Sequence, residues 1–130
     1  MQYPIINLSC QFFLSLFTIC LPEIESLKVL DLFFLEGMQS NKLIFDVTLA
    51  YLRILEQQIV ECSNFTSVID PKNKAFDDPT LLMLEIKRAR LQLKQSHIDF
   101  YRPVCHREVL NQVQQAISQK WKSDFERKLK

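Results

Sequence analysis

The sequence predicts an all-α fold of about five helices, and three observations carry that expectation. The chain holds a single glycine, Gly37, in 130 residues, whereas tight β-hairpins draw on glycine for their positive-φ positions. Its apolar residues recur at spacings of three and four, the period of a helix face. Its composition, 48% hydrophobic and 24% charged, lies within the range of ordinary globular proteins and away from that of disordered chains.

The first helix is expected through Leu8, Phe12, Phe13, Leu16, Phe17 and Cys20, which share one face and run up to a stop at Pro22. Pro22, Glu23 and Glu25 fit the first turn of a second helix, since proline needs no amide partner there and carboxylates favour the positive end of the helix dipole. Gly37 closes that helix as a C-cap. Between them Ile24, Leu27, Val29, Leu30 and Leu32 to Leu35 are apolar nearly all round, which predicts a helix central to a bundle.

A third helix is expected from Ser40 to Cys62. Leu43, Ile44, Val47, Ala50, Tyr51, Ile54, Leu55 and Ile59 form its buried stripe, and Asp46, Arg53, Glu56 and Gln57 its polar face. The clearest boundary is Asn64 to Pro79, where Asp70-Pro71 and Asp77-Asp78-Pro79 are turn signals. It divides the chain into residues 1–66, a linker at 67–79, and a helical pair at 80–130. Asp78 and Pro79 read as N-cap and N1 of a fourth helix, with Leu82, Ile86, Ala89, Leu93, His97 and Phe100 on one face and a stop at Pro103. A fifth helix from His106 to Arg127 presents Val109, Val113, Ala116, Ile117, Trp121 and Phe125 at the same spacing.

Charge is distributed unevenly: residues 1–62 carry three Lys/Arg and seven Asp/Glu, whereas residues 63–130 carry thirteen and eight. Lys87, Arg88, Arg90 and Lys94 form the densest basic cluster, a candidate contact surface for an acidic partner or a membrane. Interleaved carboxylates, and aromatic residues at core spacing, argue against nucleic acid, which needs exposed stacking rings. The four cysteines, Cys10, Cys20, Cys62 and Cys105, lack zinc-site spacing and read as buried free thiols. No metal site, Gly-rich phosphate loop or cofactor motif is present. Cys105 and His106 point about 100° apart on a helix, so they do not form a thiol–base pair. Phe12 to Leu21 is too short and too polar for a membrane span and lacks the basic lead of a signal peptide. The sequons at Asn7 and Asn64 alone would suit a secreted chain.

The segment Leu21-Pro22-Glu23-Ile24-Glu25-Ser26-Leu27-Lys28-Val29-Leu30-Asp31-Leu32-Phe33-Phe34-Leu35-Glu36-Gly37 resembles the late signature of TBC domains, the GTPase-activating domains that act on Rab GTPases. Leu14-Ser15-Leu16-Phe17 and Ile44-Phe45-Asp46-Val47-Thr48-Leu49-Ala50-Tyr51-Leu52 resemble the helices that flank it, so the likeness covers about residues 8 to 66. Leu30 stands where the family usually has tryptophan. Leu21, Pro22, Asp31 and Gly37 are the signature positions, read as helix punctuation and a buried polar anchor.

The resemblance implies the C-terminal part of a TBC-like domain, a Rab-type GTPase as partner, a role in vesicle traffic, and a cytoplasmic site peripheral to intracellular membranes. TBC domains act through an arginine finger in I-x-x-D-x-x-R and a glutamine finger in Y-x-Q, the trans-acting arginine-finger logic, and neither motif occurs in this sequence. A chain without GTPase-activating power is therefore expected. Apolar faces left by the missing part imply self-association.

Overall fold

The computed structural model describes residues 5–37 and 41–129, and these are helical without a strand among them. Seven α-helices run in order: α1 Ile5–Ser15, α2 Glu23–Glu36, α3 Asn41–Ile54, α4 Glu56–Glu61, α5 Phe65–Val68, α6 Leu81–Gln92 and α7 Gln95–Leu129, with a short 3₁₀ turn at Lys74–Phe76. They fall into two compact units, Met1–Leu93 and Lys94–Lys130. The all-α expectation holds. The expected third-helix start at Ser40 lies outside the described residues, as do the side chains of Leu8 and Asn7.

α1 ends at Ser15, seven residues before Pro22. Leu16 and Phe17 adopt φ values of 47° and 67°, the left-handed conformation that usually closes a helix at glycine. The Phe17 amide donates to the Phe12 carbonyl at 3.0 Å, and the turn drops the Phe17 ring into the core. α2 matches the expected span. Pro22 sits one position earlier than expected, as the N-cap, and Gly37 closes the helix at φ 68° and ψ −167°, its amide donating to the Phe33 carbonyl. That corner of conformational space is essentially restricted to glycine.

The expected third helix bends at Leu55 into α3 and α4. Leu55 has φ −93° and ψ 1°, yet its amide reaches the Tyr51 carbonyl at 3.3 Å and its carbonyl receives the Ile59 amide at 2.9 Å. Leu43, Val47, Ala50, Tyr51 and Leu55 are buried as the periodicity requires. Tyr51 is the hub of the Met1–Leu93 unit: its ring lies 5.0 Å edge-on from Phe12 and 5.2 Å stacked on Phe76. Aromatic pairs of this kind add about 0.5–1.5 kcal/mol beyond the area they bury.

Segment 67–79 belongs to this core, to which it contributes Val68 and Phe76. Asn73 holds its shape, accepting from the Ala75 amide at 3.0 Å and donating to the Val68 carbonyl at 3.0 Å. The next helix starts two residues later than expected. Asp78 Oδ1 accepts the amide and hydroxyl of Thr80 at 2.9 and 2.8 Å, and these bonds hold the Asp78 carboxyl below its usual range. α6 buries Leu82, Ile86 and Ala89 against α3.

Pro103 does not stop a helix. The break falls ten residues earlier at Leu93, whose backbone is extended at φ −91° and ψ 117° and whose amide caps the Ala89 carbonyl at 2.8 Å. α7 runs through the proline for 35 residues. A proline removes one backbone bond, and on a helix exposed around that position water can take the freed carbonyl. His97 and Phe100 therefore do not continue the face of α6. Both are exposed residues of α7.

Candidate functional site

The signature-like helix α2 does not present the face its sequence suggests. It buries Glu25, Ser26 and Val29, while Ile24, Leu27, Phe34 and Leu35 are exposed. The expectation of a helix central to the bundle is thus corrected. A continuous apolar surface does not decide which side packs inward, and here the inward side combines Val29, Leu32 and Phe33 with the polar Glu25 and Ser26.

Hydrogen bonds make the burial of Glu25 and Ser26 tolerable. Ser26 Oγ donates to the Leu21 carbonyl at 3.2 Å. Glu25 Oε1 receives Lys28 Nζ at 3.1 Å, and the same ammonium donates to the Pro79 carbonyl at 2.8 Å. Glu25 Oε2 is buried without a hydrogen-bond partner. Burying a charge costs several kcal/mol unless it is paired, so Lys28 is the group that keeps Glu25 in place. An open groove of about 330 Å³ lies beside it, between Pro22, Ile24 and Phe76, with Glu23 and Asp77 on its walls.

Of the four signature positions, Leu21 is buried, Pro22 is half-buried, and Gly37 performs the expected closure. Asp31 is exposed, so its reading as a buried polar anchor is corrected. It lies in the 24, 27, 31, 34 row, a carboxylate within the exposed apolar face of α2. Leu30 is half-buried.

Two of the four residues of the basic cluster are held in ion pairs. Arg88 Nη1 bonds Glu85 Oε1 at 2.6 Å. Arg90 pairs with Glu36, at the end of α2, and its Nε lies 3.9 Å from Asp46 Oδ2. Lys87 and Lys94 are exposed, and Lys94 belongs to the second unit. The arrangement is a clasp between α3 and α6. Lys42 Nζ bonds both oxygens of Asp46 at 3.0 and 3.1 Å and approaches the Arg90 carbonyl at 3.4 Å. Arg53 lies 3.7 Å from Glu85 Oε2 and donates to Gln92 at 2.6 Å.

Asp46, assigned by the sequence to a polar face, is buried. Burial pushes its carboxyl above the usual value of 3.8, an effect that the Lys42 hydrogen bond and charge only partly offset. The buried carboxylates Glu25, Asp46 and Glu85 were the residues that sequence reading missed. Their signal was present as cations three or four positions further on: Lys28 after Glu25 and Arg88 after Glu85, with Lys42 four before Asp46.

Cys20 is buried, its thiol donating to the Phe17 carbonyl at 3.4 Å, and burial pushes it up to about 12. Tyr51, buried beside it, is also pushed up, chiefly by burial, and its hydroxyl donates to the Cys20 carbonyl at 3.4 Å. Cys62 is half-buried, whereas Cys10 and Cys105 are exposed, so the reading of four buried thiols holds fully for Cys20 alone. Among the described residues no group of His, Cys, Asp and Glu could hold a metal ion, and no helix is long and apolar enough to cross a membrane.

No family model, curated protein or solved structure matches this chain.

Proposed function

We propose that the chain is a non-catalytic helical interaction unit of TBC type, whose α2 face receives a further helical element. One observation carries this: Phe34 and Leu35 are 82% and 81% exposed on a helix that buries a glutamate and a serine. Exposed apolar faces of this kind are characteristic of surfaces that take a partner. Asp31, set in that row, adds a requirement. The occupying helix should be apolar with a basic or hydrogen-bond-donating side chain opposite Asp31, because a buried lone carboxylate would be costly.

The Leu-Pro to Glu-Gly segment supports assigning this unit to the C-terminal side of a TBC-like domain, cytoplasmic and peripheral to membranes, with a Rab-type GTPase as the eventual partner. The two missing finger motifs support a chain that does not itself accelerate GTP hydrolysis. The other reading, a basic half that meets an acidic protein or lipid surface, loses support from the ion pairs of Arg88 and Arg90, which leave Lys87 and Lys94 as the free members of the cluster.

The test mixes the purified chain with the N-terminal half of a TBC domain and follows amide exchange. Protection along α2, lost in the Asp31→Lys variant, is expected, and α2 amides that exchange unchanged would overturn the docking reading. In parallel, GTP-loaded Rab-type GTPases should release phosphate at their intrinsic rate when the chain is added. A tenfold acceleration would overturn the non-catalytic reading.

A further inference from the structure

The groove beside Glu25 lies within the Met1–Leu93 unit and is independent of the TBC reading. One wall is the first turn of α2, with Pro22, Glu23, Ile24 and Glu25, and the other is formed by Phe76, Asp77 and Pro79. Lys28 spans the two, its Nζ 3.1 Å from Glu25 Oε1 and 2.8 Å from the Pro79 carbonyl oxygen. The Glu25 carboxylate therefore sits between the walls. Its side chain is 4% exposed, and its second oxygen, Oε2, has no hydrogen-bond partner.

Charge decides what such a groove takes. Glu23, Glu25 and Asp77 bring three carboxylates, and Lys28 brings one ammonium, which leaves a net of two negative charges. Among the described residues no salt bridge reaches Glu23 or Asp77. The amino end of α2 opposes this with about half a positive charge, too little to reverse the sign. A cation is favoured over an anion.

The surface between the carboxylates is apolar, made of Pro22, Ile24 and Phe76, the last stacked on Tyr51. A guanidinium suits it better than an ammonium. The planar ion is more weakly hydrated, lies flat against rings and can address more than one carboxylate at once.

We propose that this groove docks an arginine side chain of a partner protein, with the guanidinium on the Pro22, Ile24 and Phe76 surface between Glu23 and Asp77, facing the unpartnered side of Glu25. Shape selects a protein segment as its source. Small-molecule pockets enclose most of their ligand, whereas this groove is open and about 330 Å³ in volume, enough for a side chain anchored by its own backbone. Ile24 is 67% and Leu27 55% exposed, and one turn apart on α2 they offer an apolar contact to the residue beside the arginine.

Titrating the full chain, labelled with nitrogen-15, with acetyl-Leu-Arg-Leu amide at about 0.1 M salt tests the proposal through amide chemical shifts. Saturable movement of the Glu23, Ile24 and Asp77 amides is expected. The lysine peptide should bind about threefold more weakly, and the citrulline peptide, of similar shape without the charge, at least about tenfold. Glu23→Gln combined with Asp77→Asn, both on exposed positions, should weaken the arginine peptide about tenfold with an unchanged circular dichroism spectrum. Asp31→Lys, about 12 Å further along α2 and so beyond the ~10 Å screening length, should leave it within about twofold, which separates this groove from the α2 face proposed above. No saturable shift at these amides, equal binding of the citrulline peptide, or indifference to the Glu23 and Asp77 pair would each overturn the proposal. Equal binding of the lysine peptide would overturn the choice of arginine, and free arginine binding as tightly as the peptide would overturn the protein source.

Discussion

Tyr51 and Trp121 both sit at apolar positions repeating every three or four residues, and their surroundings could hardly differ more. Tyr51 is inaccessible to solvent and packed between Phe12 and Phe76, whereas Trp121 is 74% exposed on α7. In the Met1–Leu93 unit, residues far apart in the chain close a core around the α3–α6 pair. In the second unit Gln95–Leu129 is one long helix, with Ile98 as its buried residue among the described residues. Periodicity therefore says which side chains share a face. Whether the face is covered depends on a partner that the period itself does not specify.

The contrast predicts chemical behaviour first, because reactivity spans the widest range. A thiol reagent at pH 7 should modify Cys105 at least a thousandfold faster than Cys20, which is buried and held up to about 12, since the thiolate is the reacting form. Timed labelling with mass spectrometry checks this, and comparable rates would mean that the Cys20 core opens readily.

Substitution in the core comes next. Tyr51→Ala should cost about 3–5 kcal/mol, and Trp121→Ala less than about 0.5 kcal/mol in dilute, monomeric protein. Urea unfolding followed by circular dichroism separates the two. Equal losses would erase the difference between the units.

The α3–α6 clasp gives a smaller effect than the Tyr51 core. Asp46→Ala should cost about 1–3 kcal/mol by removing the acceptor of Lys42 and the anion beside Arg90. The pH dependence carries a definite sign. The Asp46 carboxyl is raised in the fold, so the folded state binds the proton more tightly than the unfolded chain. This contribution to stability is complete below the ordinary value of 3.8 and is lost as pH rises through the raised value. Asp46→Asn should flatten that slope, and stability curves recorded between pH 3 and 7 would show an unchanged slope if another group is responsible.

Much of the fold was legible because its signals are local. Glu23–Glu36 follows from a proline, two early carboxylates and the glycine that ends it. What was illegible depended on tertiary context. Nothing in the side chains of Leu16 and Phe17 announces left-handed backbone, and the turn exists because it buries Phe17. Asp46 faces inward because Lys42 and Arg90 meet it there, and Arg90 comes from 44 positions later in the chain. Pro103 carries a stop signal, yet α7 continues through it along an exposed stretch where water can take the freed carbonyl. At the candidate site, Gly37 behaved as its chemistry dictates, whereas Asp31 depended on which side of α2 packs inward, the side that carries Val29, Leu32 and Phe33.

The Glu25–Lys28 ion pair bears on how the chain folds. Lys28 ties α2 to the Pro79 carbonyl across 51 residues of sequence, and closing so long a loop for one bond is entropically unfavourable until α3 and α6 have brought the two ends together. The bond is therefore expected to form on the native side of the folding barrier. Shortening Lys28 should leave the refolding rate nearly unchanged while hastening unfolding, the kinetic mark of a fastening added last.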